Sequence, residues 1–114
     1  MLTPVARRKF DSTGVNEDTH EVYAGLVHSV ADDENVILIE FNQKSIALYQ
    51  QLGVEKSKML FLHARKNEHP NYPDGKEDNT HFSELGARLV AQLVLHEIKE
   101  KIPELAARVV ARKQ

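Results

Sequence analysis

Apolar residues along this chain alternate between short continuous runs and helical spacing, and the switches between the two predict its elements. Leu2-Thr3-Pro4-Val5 reads as a short apolar strand, and the polar stretch Arg7 to Asp18, broken by Gly14, reads as a loop. From about His20 to Ala31 the apolar residues Val22, Leu26, Val27 and Val30 recur at helical spacing, with Asp18 or Thr19 as the cap. Asp32 to Asn35 is a turn. Val36-Ile37-Leu38-Ile39-Glu40-Phe41 opens with four consecutive aliphatic residues, the pattern of a strand covered on both faces of a parallel sheet. Asn42 then caps a helix through Leu52, and Gly53 supplies its left-handed stop.

Met59-Leu60-Phe61-Leu62 reads as a brief extended segment, and His63 to Thr80 as a long polar loop, of the length that compact domains reserve for function. Ser83 caps the last helix, predicted from about Glu84 to Lys101, with Leu85, Leu89, Val90, Leu93, Val94 and Ile98 as its buried stripe. Pro103 ends that helix or kinks the chain into a second short one, Glu104 to Arg112. Alternating strands and helices predict an α/β layer with parallel strands. Two good strands make an incomplete sheet with an open edge, however, and the chain reads as half a domain that should pair or self-associate through that edge.

With 114 residues, the chain has room for one modest core. A net charge of −2 gives no field favouring nucleic acid or anionic membrane, and no run of apolar residues reaches membrane-spanning length. Met1 to Phe10 contains no apolar core of signal-peptide length. The absence of cysteine removes disulfides and thiolate metal sites.

Chemistry concentrates at Asp78-Asn79-Thr80-His81. A carboxylate three residues before a histidine, within one turn, can bind the Nδ1–H, fix the tautomer and stabilise the imidazolium, which makes the histidine a general base. The alternative is that Asp78 caps a turn and His81 is a polar helix-entry residue. Arg7 and Arg8 follow a strand end, where ligand crevices open in α/β sheets, and suit an acidic sugar. Equally, they form a solvated pair or bridge to Glu17 or Asp18. Tyr72 lines a carbohydrate cleft or packs its own loop. His63, His69 and His81 with Glu68, Asp74 and Asp78 lack metal-binding spacing, so no metal site is predicted. Ser12, in Asp11-Ser12-Thr13-Gly14, does not sit between an apolar strand and a helix as a nucleophile would, and reads as a surface turn. Arg108, Arg112 and Lys113 read as a helix-end and tail feature.

The block Asp78-Asn79-Thr80-His81-Phe82-Ser83-Glu84-Leu85-Gly86-Ala87 resembles the last sequence block of the SGNH (GDSL-type) hydrolases. Other segments resemble one branch of that family, the rhamnogalacturonan acetylesterase-like carbohydrate esterases, in matching order to about Ile98. These are Thr3-Pro4-Val5-Ala6-Arg7-Arg8 with Phe10; Thr19-His20 with Tyr23; Val36-Ile37-Leu38-Ile39 with Asn42 and Ser45; and Asn71-Tyr72-Pro73 with Gly75. The resemblance implies the C-terminal part of a flavodoxin-like three-layer α/β fold over residues 1–102, followed by a helical extension over 103–114.

It further implies carbohydrate deacetylation by a Ser-His-Asp mechanism, with His81 as the base and Asp78 its orienting acid. No cofactor is implied; the partners are an acetylated polysaccharide or oligosaccharide and a chain supplying the serine half. Full-length relatives of this kind are often secreted. The family's Gly-Asp-Ser nucleophile block, and the glycine and asparagine blocks of its oxyanion hole, are not found in this sequence. The expectation is therefore a shortened gene product or one part of a split enzyme. The alternative is a catalytically inactive remnant or binding module of the same partial fold.

Overall fold

The computed structural model describes residues 1–110; Arg112, Lys113 and the end of the predicted Glu104 to Arg112 helix lie outside the described residues. The elements are α1 (Glu21–Asp33), α2 (Phe41–Lys56), a 3₁₀ turn (Ser57–Leu60), β1 (Phe61–Ala64), β2 (Lys76–Phe82), α3 (Glu84–Lys101) and α4 (Pro103–Ala106). Strands β1 and β2 form a two-stranded antiparallel sheet. The fold is thus mixed helix and strand, with a smaller and differently paired sheet than the predicted parallel one.

Among the described residues parallel pairing is confined to a single bridge, Leu2 to Ile39. There Thr3 N–H donates to Ile39 O at 3.1 Å and Ile39 N–H donates to Met1 O at 2.9 Å. The predicted strand Val36 to Phe41 reduces to this contact, and Phe41 already begins α2. An aliphatic run becomes a strand only where neighbours complete its ladder, and here the one neighbour adds only a bond from the Met1 amino group to Ile37 O at 2.7 Å. Residue 42 is accordingly not the cap: Glu40 occupies that position without a capping side chain, and Asn42 is buried inside the first turn. Helix α1 is likewise capped by neither Asp18 nor Thr19; His20 holds the cap position and donates its N–H to the Asp18 carboxylate at 3.0 Å. Gly53 leaves helical geometry (φ 75°, ψ 179°), so the first helical stretch of α2 stops there as the sequence predicts, and a second short one follows across the kink.

The core is a pair of adjoining clusters. Ala6, Tyr49, Leu60 and Phe61 form the first; Ile39, Phe41 and Val90 form the second, and Leu48 and Phe82 pack against both. Tyr49 meets Phe61 edge-on at 5.2 Å between ring centroids, and Phe61 meets Phe82 at 5.1 Å. Between helices, Glu97 of α3 is buried and pairs with Lys44 of α2 at 2.8 Å and with Lys101 at 3.0 Å. Their two charges, with the hydrogen bond from Lys44 foremost, hold the Glu97 carboxyl below the ordinary range.

Helix α3 starts where the sequence places it. The Ser83 hydroxyl accepts the Gly86 N–H at 3.1 Å and donates to Met59 O at 2.7 Å, so one residue caps α3 and ties it to the 3₁₀ turn. Gly86 then sits directly on Leu60: a Cβ there would lie 1.8 Å from the Leu60 carbonyl oxygen. The predicted stripe of α1 has a different fate. Val22, Leu26 and Val30 are exposed, Val22 to 73%, and Val27 is half-buried; Tyr23 is exposed too, as are Leu2, Val36 and Ile37 at the parallel bridge. The Cα radius of gyration, 16.3 Å, exceeds the roughly 13 Å expected of a compact domain this long, and the extents are 48 × 41 × 23 Å. The chain is thus broad and thin, with large apolar side chains left at its surface.

Gly86→Ala is expected to force α3 away from Leu60 and lower stability by about 2–3 kcal/mol, the usual cost of overpacking, read as a lower midpoint in urea unfolding. An unchanged midpoint would mean that the approach of α3 to Leu60 is not close in solution.

Candidate active site

The predicted long loop His63 to Thr80 is mostly a β-hairpin, and the Asp-x-x-His motif lies on its second strand. The register explains how a strand can carry a turn-like motif. Phe61 pairs with Phe82 and His63 with Glu77, so the single residue Leu62 on β1 faces Asp78 to His81 on β2. The motif bulges out of the ladder. Bulges of this kind occur beside active sites, where they re-aim side chains. Inward-facing Phe82, in the core, anchors the strand immediately after it.

Within the bulge Asp78 organises its own turn. One carboxylate oxygen, Oδ1, accepts the backbone N–H of Thr80 at 2.7 Å and of His81 at 2.8 Å. Such a turn, closed by a side chain onto the backbone two and three residues ahead, is what aspartate favours. It folds the chain back so that the other oxygen, Oδ2, meets Nδ1 of the His81 ring at 2.8 Å. The His81 N–H, then the Thr80 N–H and the His81 ring hold the Asp78 carboxyl well below the usual carboxylate range. The aspartate is therefore an anion at neutral pH, and Nδ1 of His81 is engaged. Because the His81 side chain is 76% exposed, Nε2 faces the outside. An imidazole held at Nδ1 and open at Nε2 has the arrangement of a general base.

The two arginines divide. Arg7 stays at the surface, and its Nη2 donates to the Thr80 hydroxyl oxygen at 3.2 Å. Arg8 turns inward and is only 8% exposed. Its Nε donates to Ser57 Oγ at 2.9 Å, Nη1 to Asn79 Oδ1 at 2.8 Å and Nη2 to the Val54 carbonyl, while its backbone N–H donates to Asn79 O at 3.1 Å. Every guanidinium nitrogen is used, so Arg8 belongs to the scaffold beneath the bulge and is withdrawn from any ligand. Neither arginine takes the carboxylates considered for them: Glu17 pairs with Lys9 at 2.6 Å, and Asp18 accepts from Asn42 at 2.8 Å and Gln43 at 3.1 Å. Tyr72 lies near the hairpin end, half-buried, with His69 at 5.3 Å between rings and the Lys76 ammonium 5.8 Å from its centroid.

The three histidines of the hairpin point to three different partners. His63 Nε2 bonds Asn79 Oδ1 at 2.9 Å, His69 Nδ1 accepts the Asn71 N–H at 3.2 Å, and His81 pairs with Asp78. No group of three metal-ligating side chains converges among the described residues. Nor does any serine hydroxyl there bond to His81. Ser45 accepts from Ala6 N–H, Ser57 from Arg8 and Ser83 from Gly86, while Ser29 donates to Gly25 O. Ser12 lies in an exposed turn built on the Asp11 carboxylate, as its sequence suggests. Sequence reasoning missed Asn79, Thr80, Ser57 and His63 as supports of the site. Their polarity is visible, but the bulge that collects them depends on a pairing register that no local pattern encodes.

No family model matches the chain, and no solved structure matches it significantly. Two curated proteins of Bacillus subtilis (strain 168) are similar to it. Rhamnogalacturonan acetylesterase RhgT is 47% identical over 100 residues, covering 88% of this chain and 43% of that protein. The probable rhamnogalacturonan acetylesterase YesY is 34% identical over 100 residues, covering 88% of this chain and 42% of that protein. The chain thus spans a little over two fifths of the length of the curated relatives it matches. A match of that coverage takes in Asp78 and His81 wherever it begins. Over most of its length the chain is therefore similar to part of the rhamnogalacturonan acetylesterase-like esterases.

Proposed function

We propose that this chain supplies the acid–base part of a serine carboxylic-ester hydrolase that removes acetyl groups from a polysaccharide of the rhamnogalacturonan class. The observation that carries this reading is the pairing of Asp78 with Nδ1 of His81 beside an outward-facing Nε2. In the reaction, Nε2 takes the proton of a serine hydroxyl as its oxygen attacks the acetyl carbonyl, and the imidazolium is stabilised by Asp78. The same proton passes to the departing sugar oxygen. Water then attacks the acyl-serine with His81 again as the base, releasing acetate and restoring the serine.

The serine and the oxyanion donors come from a second polypeptide region of the SGNH type. The exposed apolar residues Val22, Leu26 and Val30 of α1 and the Leu2 edge are the surface we assign to it. These residues are apolar and exposed, and the Leu2 edge carries the only parallel bridge among the described residues, which supports a layered parallel sheet in the assembled enzyme. Arg7, beside Thr80, is the residue we assign to an acidic sugar of the substrate, and Tyr72 is a candidate aromatic contact farther along the hairpin.

Mixing the chain with a separately produced polypeptide carrying a Gly-Asp-Ser block is expected to yield ester hydrolysis. His81→Ala should lower that activity by at least ~10²–10⁴-fold, the usual contribution of a general base. Leu26→Asp should weaken assembly and leave His81 untouched. No gain on mixing, or activity indifferent to His81→Ala, would favour a non-catalytic module instead.

The depressed pKa of Asp78 makes a separate prediction. Its stabilising contribution is present at neutral pH and is lost as pH falls through the ordinary carboxylate range, near about 4, toward its folded-state value. Asp78→Asn should therefore show a smaller loss of stability between neutral pH and about pH 3 than the unsubstituted chain, measured by urea unfolding at both pH values.

A further inference from the structure

The Asx turn of Asp78 fixes the carboxylate relative to the bulge but not the bulge relative to the body of the protein. Four residues are looped out of the ladder, and the His81 ring, largely exposed, has little packing to restrain it. The attachment runs through Asn79, one residue from the aspartate. Its Oδ1 accepts two bonds, from Arg8 Nη1 at 2.8 Å and from His63 Nε2 at 2.9 Å, and its carbonyl accepts the Arg8 backbone N–H at 3.1 Å. Arg8 is in turn clamped to the end of α2 and the 3₁₀ turn through Val54 O and Ser57 Oγ, with its guanidinium 5.5 Å from the centre of the Phe10 ring. A planar fork with fixed donors suits such a clamp, whereas a lysine would reach one partner at a time.

We propose that Arg8 and His63 are positioning residues for the Asp78–His81 pair, both acting through the side-chain oxygen of Asn79. The inference rests on the reading of His81 as the base and adds what holds that base in register. Removing the Asn79 oxygen leaves a buried arginine with an unmet donor and frees the bulge to shift. The consequence falls on His81: with Asp78 displaced, nothing keeps the proton on Nδ1, and Nε2 ceases to be reliably the bare nitrogen. Asn79→Asp keeps an oxygen facing both donors and should preserve the lock.

The test is the tautomer of His81 in the 114-residue chain, read from imidazole ¹⁵N shifts at a pH where the ring is neutral. The unsubstituted chain is expected to show Nδ1–H at His81, and Asp78→Asn provides the unpositioned reference. Asn79→Ala should move the shifts most of the way to that reference with the amide spectrum of α3 unchanged, and Asn79→Asp should restore them. An unaltered tautomer in Asn79→Ala, or the same shift in Asn79→Asp, overturns the proposal. If Asn79→Ala loses the native spectrum, His63→Ala decides: a partial move supports the proposal and an unmoved tautomer overturns it. The measurement needs no hydrolysis. Absence of Nδ1–H in the unsubstituted chain would instead defeat the reading of the Asp78–His81 pair itself.

Discussion

The extended segment of residues 2–8 buries Thr3, Ala6 and Arg8, and their backbone groups must be satisfied by protein partners. Buried amides and carbonyls left alone would cost as much as the hydrophobic contacts around them contribute. Each solution reaches a different element. Thr3 N–H goes to Ile39 O, the Thr3 hydroxyl accepts the Asn42 N–H, Ala6 N–H goes to Ser45 Oγ and Ala6 O accepts the Tyr49 hydroxyl. Arg8 N–H ends the series at Asn79 O. Satisfying this one segment therefore fixes the start of α2, the middle of α2 and the bulge of β2 against one another. Burial also pushes the Tyr49 hydroxyl pKa upward, keeping it a neutral donor to Ala6.

The site inherits its rigidity from that arrangement. His81 and Phe82 are consecutive, and the strand's alternation sends one outward to solvent and the other inward to the core. An exposed imidazole is thus mounted one residue from an aromatic ring packed against both core clusters. The Ser83 cap and the tight contact of Gly86 with Leu60 follow at once, pinning the helix behind the site.

The chain as a whole is broad and thin. The α1 stripe and the Leu2 edge carry the residue types of an interior while remaining at the surface, and the core that does form is small.

Local chemistry was legible from the residues themselves. Helix α3, its Ser83 cap, the helical span of α1 and the short reach of the Asp78–His81 spacing all depend on neighbours within a few positions, where periodicity, capping and side-chain-to-backbone bonds act. Pairing was not legible. Whether Val36 to Phe41 becomes a strand, whether His63 to Thr80 stays a loop, and whether the α1 stripe is covered depend on residues far away in sequence. The arginines make the same division at the scale of single residues. Adjacent and chemically identical, Arg7 and Arg8 were indistinguishable in sequence. Only the tertiary structure, by placing Ser57, Val54 and Asn79 around one and solvent around the other, made Arg8 a buried clamp and left Arg7 at the surface.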